Sequence, residues 1–224
     1  MRSLFDFIVE PLDGKYNNEI KLGDKSLVTN ADLENFRAVS NMAKVVEIPI
    51  ALKTVISKGD IILIHHNVFR TFRNIKGKQQ TSRSKFIDNL YFVAMDQVYM
   101  YKKENKWVTI NNRCFVKPIL NSDDLTLDKE KELVGILKYG NSCLEALKIS
   151  EGDLIGYTPD GEYEFFIEGE RLYCMKSNDI VIKYEYQGNE IEYNPSWAKS
   201  SWGINKGGRR KDRWLRGWYI SWQT

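Results

Sequence analysis

Short apolar or alternating runs dominate this chain, and almost none of them repeats at helical spacing. Phe5-Asp6-Phe7-Ile8-Val9-Glu10 is a β-rich run that stops at Pro11. Asn18-Glu19-Ile20-Lys21-Leu22 and Ser26-Leu27-Val28-Thr29 flank Gly23-Asp24-Lys25, which predicts a hairpin with a three-residue loop. Ala43-Lys44-Val45-Val46-Glu47-Ile48 is another strand, closed by Pro49. Ile61-Ile62-Leu63-Ile64 follows a Gly59-Asp60 turn and is apolar on both faces, so it should be buried. Leu90-Tyr91-Phe92-Val93 and Gln97-Val98-Tyr99-Met100-Tyr101 complete a first set. Only residues 31–40 and 143–149 could form a short helix. Many short strands between turn signals predict an all-β barrel or sandwich.

The pattern then repeats. Phe7-Ile8-Val9-Glu10-Pro11-Leu12 is echoed by Cys114-Phe115-Val116-Lys117-Pro118-Ile119. Ala43-Lys44-Val45-Val46 sits where Gly135-Ile136-Leu137-Lys138 sits. Ser57-Lys58-Gly59-Asp60-Ile61-Ile62 matches Ser150-Glu151-Gly152-Asp153-Leu154-Ile155. Leu90-Tyr91-Phe92-Val93, with Asp96-Gln97-Val98 behind it, matches Leu172-Tyr173-Cys174-Met175 with Asp179-Ile180-Val181. One such match is a common turn before a strand; four in the same order indicate an internal duplication. The first copy is longer by the hairpin at 18–29 and by an insertion carrying Arg70, Arg73, Lys76, Lys78, Arg83 and Lys85. Residues 102–112 read as the linker, pinned to one unit by Trp107 and Val108. The organisation expected is residues 1–104, 105–187, and a tail over 188–224.

Each copy resembles the GroES co-chaperonin family. That family opens on an Arg-Val-Ile-Val-Lys-Pro strand and continues through a Gly-Lys-Val-Val strand and a Lys-x-Gly-Asp-x-Val strand. It closes on a Leu-Ile-x-x-x-Asp-Ile-Leu-Ala strand. Those roles fall here to residues 7–12, 43–47, 58–64 and 90–100, and again to 113–119, 135–138, 151–157 and 172–182. Phage-encoded GroES-like proteins are similar as well, with a segment like His65-His66-Asn67-Val68-Phe69-Arg70 after the Gly-Asp strand. The resemblance implies two tandem GroES-like β-barrels with a basic, Trp-rich C-terminal extension. It also implies a chaperonin partner bound through apolar loop anchors. Leu27 and Val28 are the candidate anchors in the first copy, and Leu125 and Leu127 in the second. The chain departs from the family in lacking room for a roof hairpin between Pro49 and Ser57. A seven-fold ring, moreover, is not tiled by a whole number of two-unit subunits.

Composition changes this picture mainly at the end of the chain. The net charge of the 224 residues is +3. Lys199, Lys206, Arg209, Arg210, Lys211, Arg213 and Arg216 stand against Asp212 alone beyond residue 195, so the tail is +6 and the remainder slightly acidic. The tail also holds Trp197, Trp202, Trp214, Trp218 and Trp222, five of the six tryptophans. Alternating cations and aromatics can stack on bases or dock on an acidic surface. Arg209, Arg210, Lys211, Arg213, Trp214, Arg216 and Trp218 are therefore the candidate polyanion-binding residues. A bare solvated extension is the alternative, as a solvated loop is for the basic insertion. Cys114, Cys143 and Cys174 are odd in number and far apart, which suits buried free thiols in a reducing cytoplasm. The start of the sequence does not read as a signal peptide, and no run is long enough to span a bilayer. A bacterial host cytoplasm, or a virion, is the expected location.

Candidate chemistry is sparse. His65 and His66 are the only histidines, and neighbours on a strand face opposite ways, so a polar pair at a strand end is expected rather than a metal site. No nucleophile elbow, P-loop, dinucleotide fingerprint or paired-Cys motif occurs. Asp60, Asp153, Asp96 and Asp179 recur with the repeat and read as turn formers. The expectation is a non-catalytic co-chaperonin-like protein that needs no cofactor or metal, contacts no membrane, and is compatible with an oligomer. The alternative is a phage virion or assembly protein that reuses the same fold, with a viral structural protein as partner.

Overall fold

A computed structural model describes residues 2–12, 14–16, 38–120 and 130–185, with the backbone of 19–22 and 25–28. The first sheet is built from β1 (Phe7–Pro11), β4 (Met42–Glu47), β5 (Ile61–Ile64), β8 (Tyr91–Val93), β9 (Val98–Lys103) and β10 (Lys106–Thr109). Between these lie two separate hairpins, β2 (Glu19–Leu22) with β3 (Lys25–Val28), and β6 (Thr71–Arg73) with β7 (Gln79–Thr81). The second sheet uses β11 (Arg113–Leu120), β12 (Glu130–Tyr139), β13 (Leu154–Tyr157), β14 (Tyr163–Ile167), β15 (Glu170–Lys176) and β16 (Ile180–Tyr184). One short helix, α1 (Ser142–Ala146), lies between β12 and β13. The described chain is thus all-β.

The two sheets carry the same ladder. The first runs β10-β9-β5-β4-β1-β8 and the second β14-β15-β11-β12-β13-β16. Read from opposite ends, five strands coincide: β9 with β16, β5 with β13, β4 with β12, β1 with β11, β8 with β15. The register coincides too. Val9 faces Val45 and Pro11 faces Ala43, as Val116 faces Leu137 and Pro118 faces Gly135. A bulge falls between Ile8 and Val9 and again between Phe115 and Val116. A second bulge falls between Leu63 and Ile64 and again between Gly156 and Tyr157. Bulges re-aim every side chain beyond them, so sharing both is a strong constraint on the two frames.

The matched turns rest on the same bonds. Gly59 and Gly152 have φ of 90° and 91°, a region open to glycine and strained for residues with a Cβ. Asp60 accepts from the Ser57 amide at 2.8 Å, and Asp153 from the Ser150 amide at 2.7 Å. Before the last matched strand, Gln97 accepts from the Ala94 amide at 3.2 Å where Asp179 accepts from the Lys176 amide at 3.0 Å. Gln97, not Asp96, is therefore the counterpart of Asp179, one position later than the sequence match places it.

Several expectations are corrected. The barrels do not close among the described residues. Each strand has two edges, and the edge that closure would use is taken by an added hairpin strand. β10 covers β9 in the first sheet, and β14 covers β15 in the second. The segment read as a linker, 102–112, is instead the β9–β10 hairpin and a short connection. Glu104 and Asn105 at its turn have φ of 48° and 67°, the paired left-handed residues that a two-residue turn needs. Lys25 pairs with Leu22 and so belongs to β3 rather than to the loop. The insertion at 70–85 is not a plain loop, since it forms β6 and β7, with Asn74 accepting from the Lys76 and Lys78 amides across the turn. Of the two helix candidates, 143–149 gives the one-turn α1, capped by Asn141, and 31–37 lies outside the described residues.

The sheets share a core. Phe7, Val9, Val45, Ile62, Ile64, Tyr91 and Val93 form one cluster on the first sheet. Cys114, Val116, Leu137, Ile155 and Met175, with Leu144 from α1, form another on the second. Between the sheets lies a joint cluster, with Leu63, Tyr99, Met100 and Trp107 from the first and Phe115, Phe165, Ile167, Leu172 and Cys174 from the second.

Candidate functional site

The seam between the sheets gathers most of the chemically distinctive side chains. β5 ends at Ile64, and a 3-10 turn begins at His66. The backbone therefore leaves the pleat at the two histidines, and they do not point to opposite faces. Their rings stack instead, with centroids 4.4 Å apart. Tyr163, from β14 of the other sheet, stacks on His66 at 5.8 Å and leans on His65 at 5.3 Å. The Tyr163 hydroxyl is hydrogen-bonded to His66 Nδ1. Tyr99 and Phe165 complete the aromatic group, 4.8 Å apart and edge-on. Arg113 lies over the Tyr99 ring, 3.9 Å from its centroid, and donates to the Asp96 carbonyl at 2.8 Å.

Charge is kept out of this group except at Arg113. His65 Nδ1 accepts from the Asn67 amide at 3.1 Å, which places the proton of the neutral ring on Nε2. Burial brings His65 down to about 4; the Arg113 guanidinium adds to this and Asp96 opposes it. Burial, then His65 and Arg70, bring His66 down to about 3. Burial also pushes the Tyr163 hydroxyl up, and pushes the Cys174 thiol up to about 12. At neutral pH both imidazoles are uncharged and the thiol stays protonated. The group then acts as aromatic packing between the two sheets. No set of three His, Cys, Asp or Glu among the described residues is placed to hold a metal.

Polar ties line the same seam. Glu168, in the β14–β15 turn, accepts from Lys102 Nζ at 2.7 Å and from the Trp107 indole at 3.2 Å. The Lys102 bond lowers the Glu168 carboxyl; burial opposes it, and the Trp107 bond adds to the lowering. Thr109 donates to the Gly140 carbonyl at 2.7 Å, and Asn112 to Asn178 at 3.0 Å. Trp107 was expected to hold to one unit. It packs against residues of both sheets, while Val108 beside it is exposed.

A second polar group went unforeseen. Arg171, only 1% exposed, forms ion pairs with Glu130 and Glu164 and donates to the Tyr173 hydroxyl at 2.6 Å. Tyr173 donates in turn to Glu130 at 2.6 Å. These residues belong to β12, β14 and β15, and Tyr173 packs against the second sheet's own core cluster, on the side away from the seam. The alternation of Arg171 and Tyr173 with Leu172 and Cys174 was readable; the convergence of two glutamates from other strands was not.

Of the residues singled out from sequence, Leu27 and Val28 lie on β3, opposite Ile20 and Glu19. Leu125, Leu127, Arg209, Arg210, Lys211, Arg213, Trp214, Arg216 and Trp218 lie outside the described residues. Cys114 and Cys174 are buried as expected, whereas Cys143 on α1 is exposed. No described helix is long and apolar enough to cross a membrane.

Fold and seam together define a class: an all-β chain of two open sheets with a common ladder and a shared aromatic core. Neither a protein-family model nor a curated protein matches this sequence.

Proposed function

We propose that this chain is a non-catalytic co-chaperonin-like protein, built on two GroES-like units, that assists folding by binding a chaperonin. The observation that supports this reading is the shared ladder. Apart from Asp96, which is one place out of step with Asp179, the residues that carry the family resemblance in each copy fall at matched positions of both sheets, bulges included. In this reading β2–β3 presents Leu27 and Val28 to the chaperonin, and the segment with Leu125 and Leu127 does so for the second copy. The tail residues from Arg209 to Trp218 add contact with a polyanion. A pull-down of a purified bacterial chaperonin, with and without ATP, tests it. Nucleotide-dependent capture that Leu27→Asp abolishes is the expected result, and absence of capture under both conditions overturns it.

A second reading, a phage virion or assembly component, is favoured by one observation. Residues 19–22 pair with 25–28, so one edge of the backbone at Leu27 and Val28 is already engaged within the chain. Detecting the chain in purified particles, with no capture of chaperonin, would select this reading.

A further inference from the structure

The first sheet carries one addition that the second does without. In the second sheet the chain passes from β13 to β14 through Thr158-Pro159-Asp160-Gly161-Glu162, a link with two acids and no cation. In the first sheet the counterpart of β14 is the segment at 84–87. It folds back along β8, the Phe86 amide donating to the Leu90 carbonyl at 2.9 Å and the Phe92 amide to the Ser84 carbonyl at 2.7 Å. Phe86 thereby holds the place of Phe165. Between β5 and this segment the chain makes a long excursion, and the β6–β7 hairpin is its arm. The second sheet crosses the same gap directly, so the arm is not needed to build the ladder.

The arm is fixed at its root and closed at its tip. Val68 and Phe69, just before it, are buried in the first sheet's core. The Ser82 amide donates to the Arg70 carbonyl at 3.0 Å, and the amide of the buried Thr71 donates to the Tyr16 hydroxyl at 2.8 Å. At the far end the Gly77 amide donates to the Asn74 carbonyl at 2.8 Å, with Gly77 at φ 72°.

Its chemistry has one sign. Between residues 66 and 87 stand Arg70, Arg73, Lys76, Lys78, Arg83 and Lys85, with no Asp or Glu among them. Lys76, Lys78, Arg83 and Lys85 are exposed. β7 is exposed along its whole length, so the side-chain amides of Gln79 and Gln80 face solvent. Ile75, at the tip, is 107% exposed. Like charges gathered on a fixed ribbon repel one another, and a polyanion removes that repulsion.

Shape and side chains select among polyanions. The major groove of B-form DNA, about 12 Å wide and about 8.5 Å deep, admits a two-stranded ribbon. From Thr71 to Arg73 the strand rises about 7 Å, and the turn carries the tip further, so the arm reaches the groove floor. Glutamine amides match the adenine edge there, and an apolar side chain matches the thymine methyl. A single-strand binder needs an aromatic platform, whereas the arm's one aromatic ring, Phe72, is half-buried. A bilayer binder needs an extended apolar face, whereas the tip offers Ile75 alone.

We infer that the β6–β7 arm binds double-stranded DNA. It enters the major groove with Ile75, Gln79 and Gln80 towards the base edges, while Lys76, Lys78, Arg83 and Lys85 meet the flanking phosphates. The inference is independent of whether a chaperonin is bound, since Leu27 and Val28 lie on another hairpin.

Fluorescence anisotropy of the full chain with a short labelled DNA duplex, over a range of salt concentrations, tests it. The matching single strand, an RNA duplex of the same length and phosphatidylserine vesicles run beside it. The DNA duplex should bind tightest, with an affinity that falls steeply as salt rises. Replacing both lysines, Lys76→Ala with Lys78→Ala, should weaken duplex binding by about tenfold and lower the salt slope by about two, one for each lost phosphate contact. Ile75→Ser should weaken it several-fold with the slope unchanged, because it removes an apolar contact and no charge. All three side chains are exposed, so both variants should keep the fold, which circular dichroism checks. Duplex binding that neither variant weakens overturns the inference and assigns polyanion contact to the tail. Failure to bind the duplex at low salt overturns it too, as does tighter binding to the single strand or the RNA duplex, or capture by the vesicles alone. Binding weakened by the lysine pair but not by Ile75→Ser overturns entry into the groove.

Discussion

Tyr99 and Val181 hold the same place in two ladders of the same register, yet one is buried between the sheets and the other faces outward. The contrast recurs at Met100 and Ile182, and at Phe165 and Phe86. It separates two levels of control. Local pattern and turn chemistry set the ladder: apolar strands, Gly59 and Gly152 at the turns, and the carboxylates of Asp60 and Asp153 across them. Burial is set by what each sheet recruits at its free edge. The first recruits β10 and, with it, Trp107; the second recruits β14, with Tyr163 and Phe165. A duplicated frame can thus present one surface twice and cover it once.

The largest effect expected is at the recruited edge of the first sheet. Trp107→Ala removes a buried indole that packs on both sheets and donates to Glu168, and should cost about 3–5 kcal/mol in a urea titration. Val108→Ala, on the same strand but exposed, should cost well under about 1 kcal/mol, in line with surface substitutions generally. Similar losses for the two would show that the hairpin does not anchor the seam.

The matched pair Gly135 and Ala43 sharpens the comparison within the ladder. A Cβ at Gly135 would lie 2.4 Å from Val116 Cγ1 and 2.7 Å from the Lys117 carbonyl oxygen. Ala43 carries its Cβ fully buried in the equivalent position. Gly135→Ala should therefore destabilise by about 1–3 kcal/mol through overpacking. Ala43→Gly should lose about 1 kcal/mol, chiefly through backbone entropy. Thermal melts of the two variants distinguish the causes, because only the first should also shift the amide signals of Val116 and Lys117.

The seam predicts a pH dependence. Both histidines have folded values below the ordinary 6.5, so the unfolded chain takes up their protons first as pH falls. Stability is then fully present above about 6.5 and declines below it, by about 1.4 kcal/mol per pH unit for each histidine at most, down towards about 4. His66→Phe should flatten that slope by about half. A profile unchanged by the substitution would show that His66 is not held neutral in the seam.

The smallest effect tests equivalence itself. Asp60→Ala and Asp153→Ala each remove one side-chain bond to a turn amide and should cost a similar amount, about 1 kcal/mol. Asp153 also pairs with Lys183 at 2.6 Å, an exposed contact that adds little.

Much of the frame was legible in sequence. Strand runs such as Ile61-Ile62-Leu63-Ile64 and the repeated Gly-Asp turns carry local signals, and they order the ladder. The hairpin at 102–112 was misread because Glu104-Asn105 is not a glycine turn, although both residues adopt the left-handed conformation. The strand end at the histidines was expected, but their stack was misread because they were given the alternating faces of a strand, whereas the pleat has already ended at Ile64. Barrel closure and the seam depend on pairings between distant segments. Trp107 with Glu168 and Tyr163 with His66 are examples, and neither partner carries a mark of the other. The Arg171 group has the same origin, for Asn89 takes the place of Arg171 in the first copy and no echo draws attention to it.

The central claim is that two equivalent ladders build this chain, and cross-strand amide contacts test it most directly. NMR of the labelled protein should show Val9 opposite Val45 and Val116 opposite Leu137, with a break in the ladder one residue earlier in each sheet. It should also show Leu63 opposite Met100 and Gly156 opposite Ile182, each followed by the second bulge. A register that differs by even one residue between the two sheets, or contacts joining β1 directly to β11 in one continuous sheet, would contradict the account.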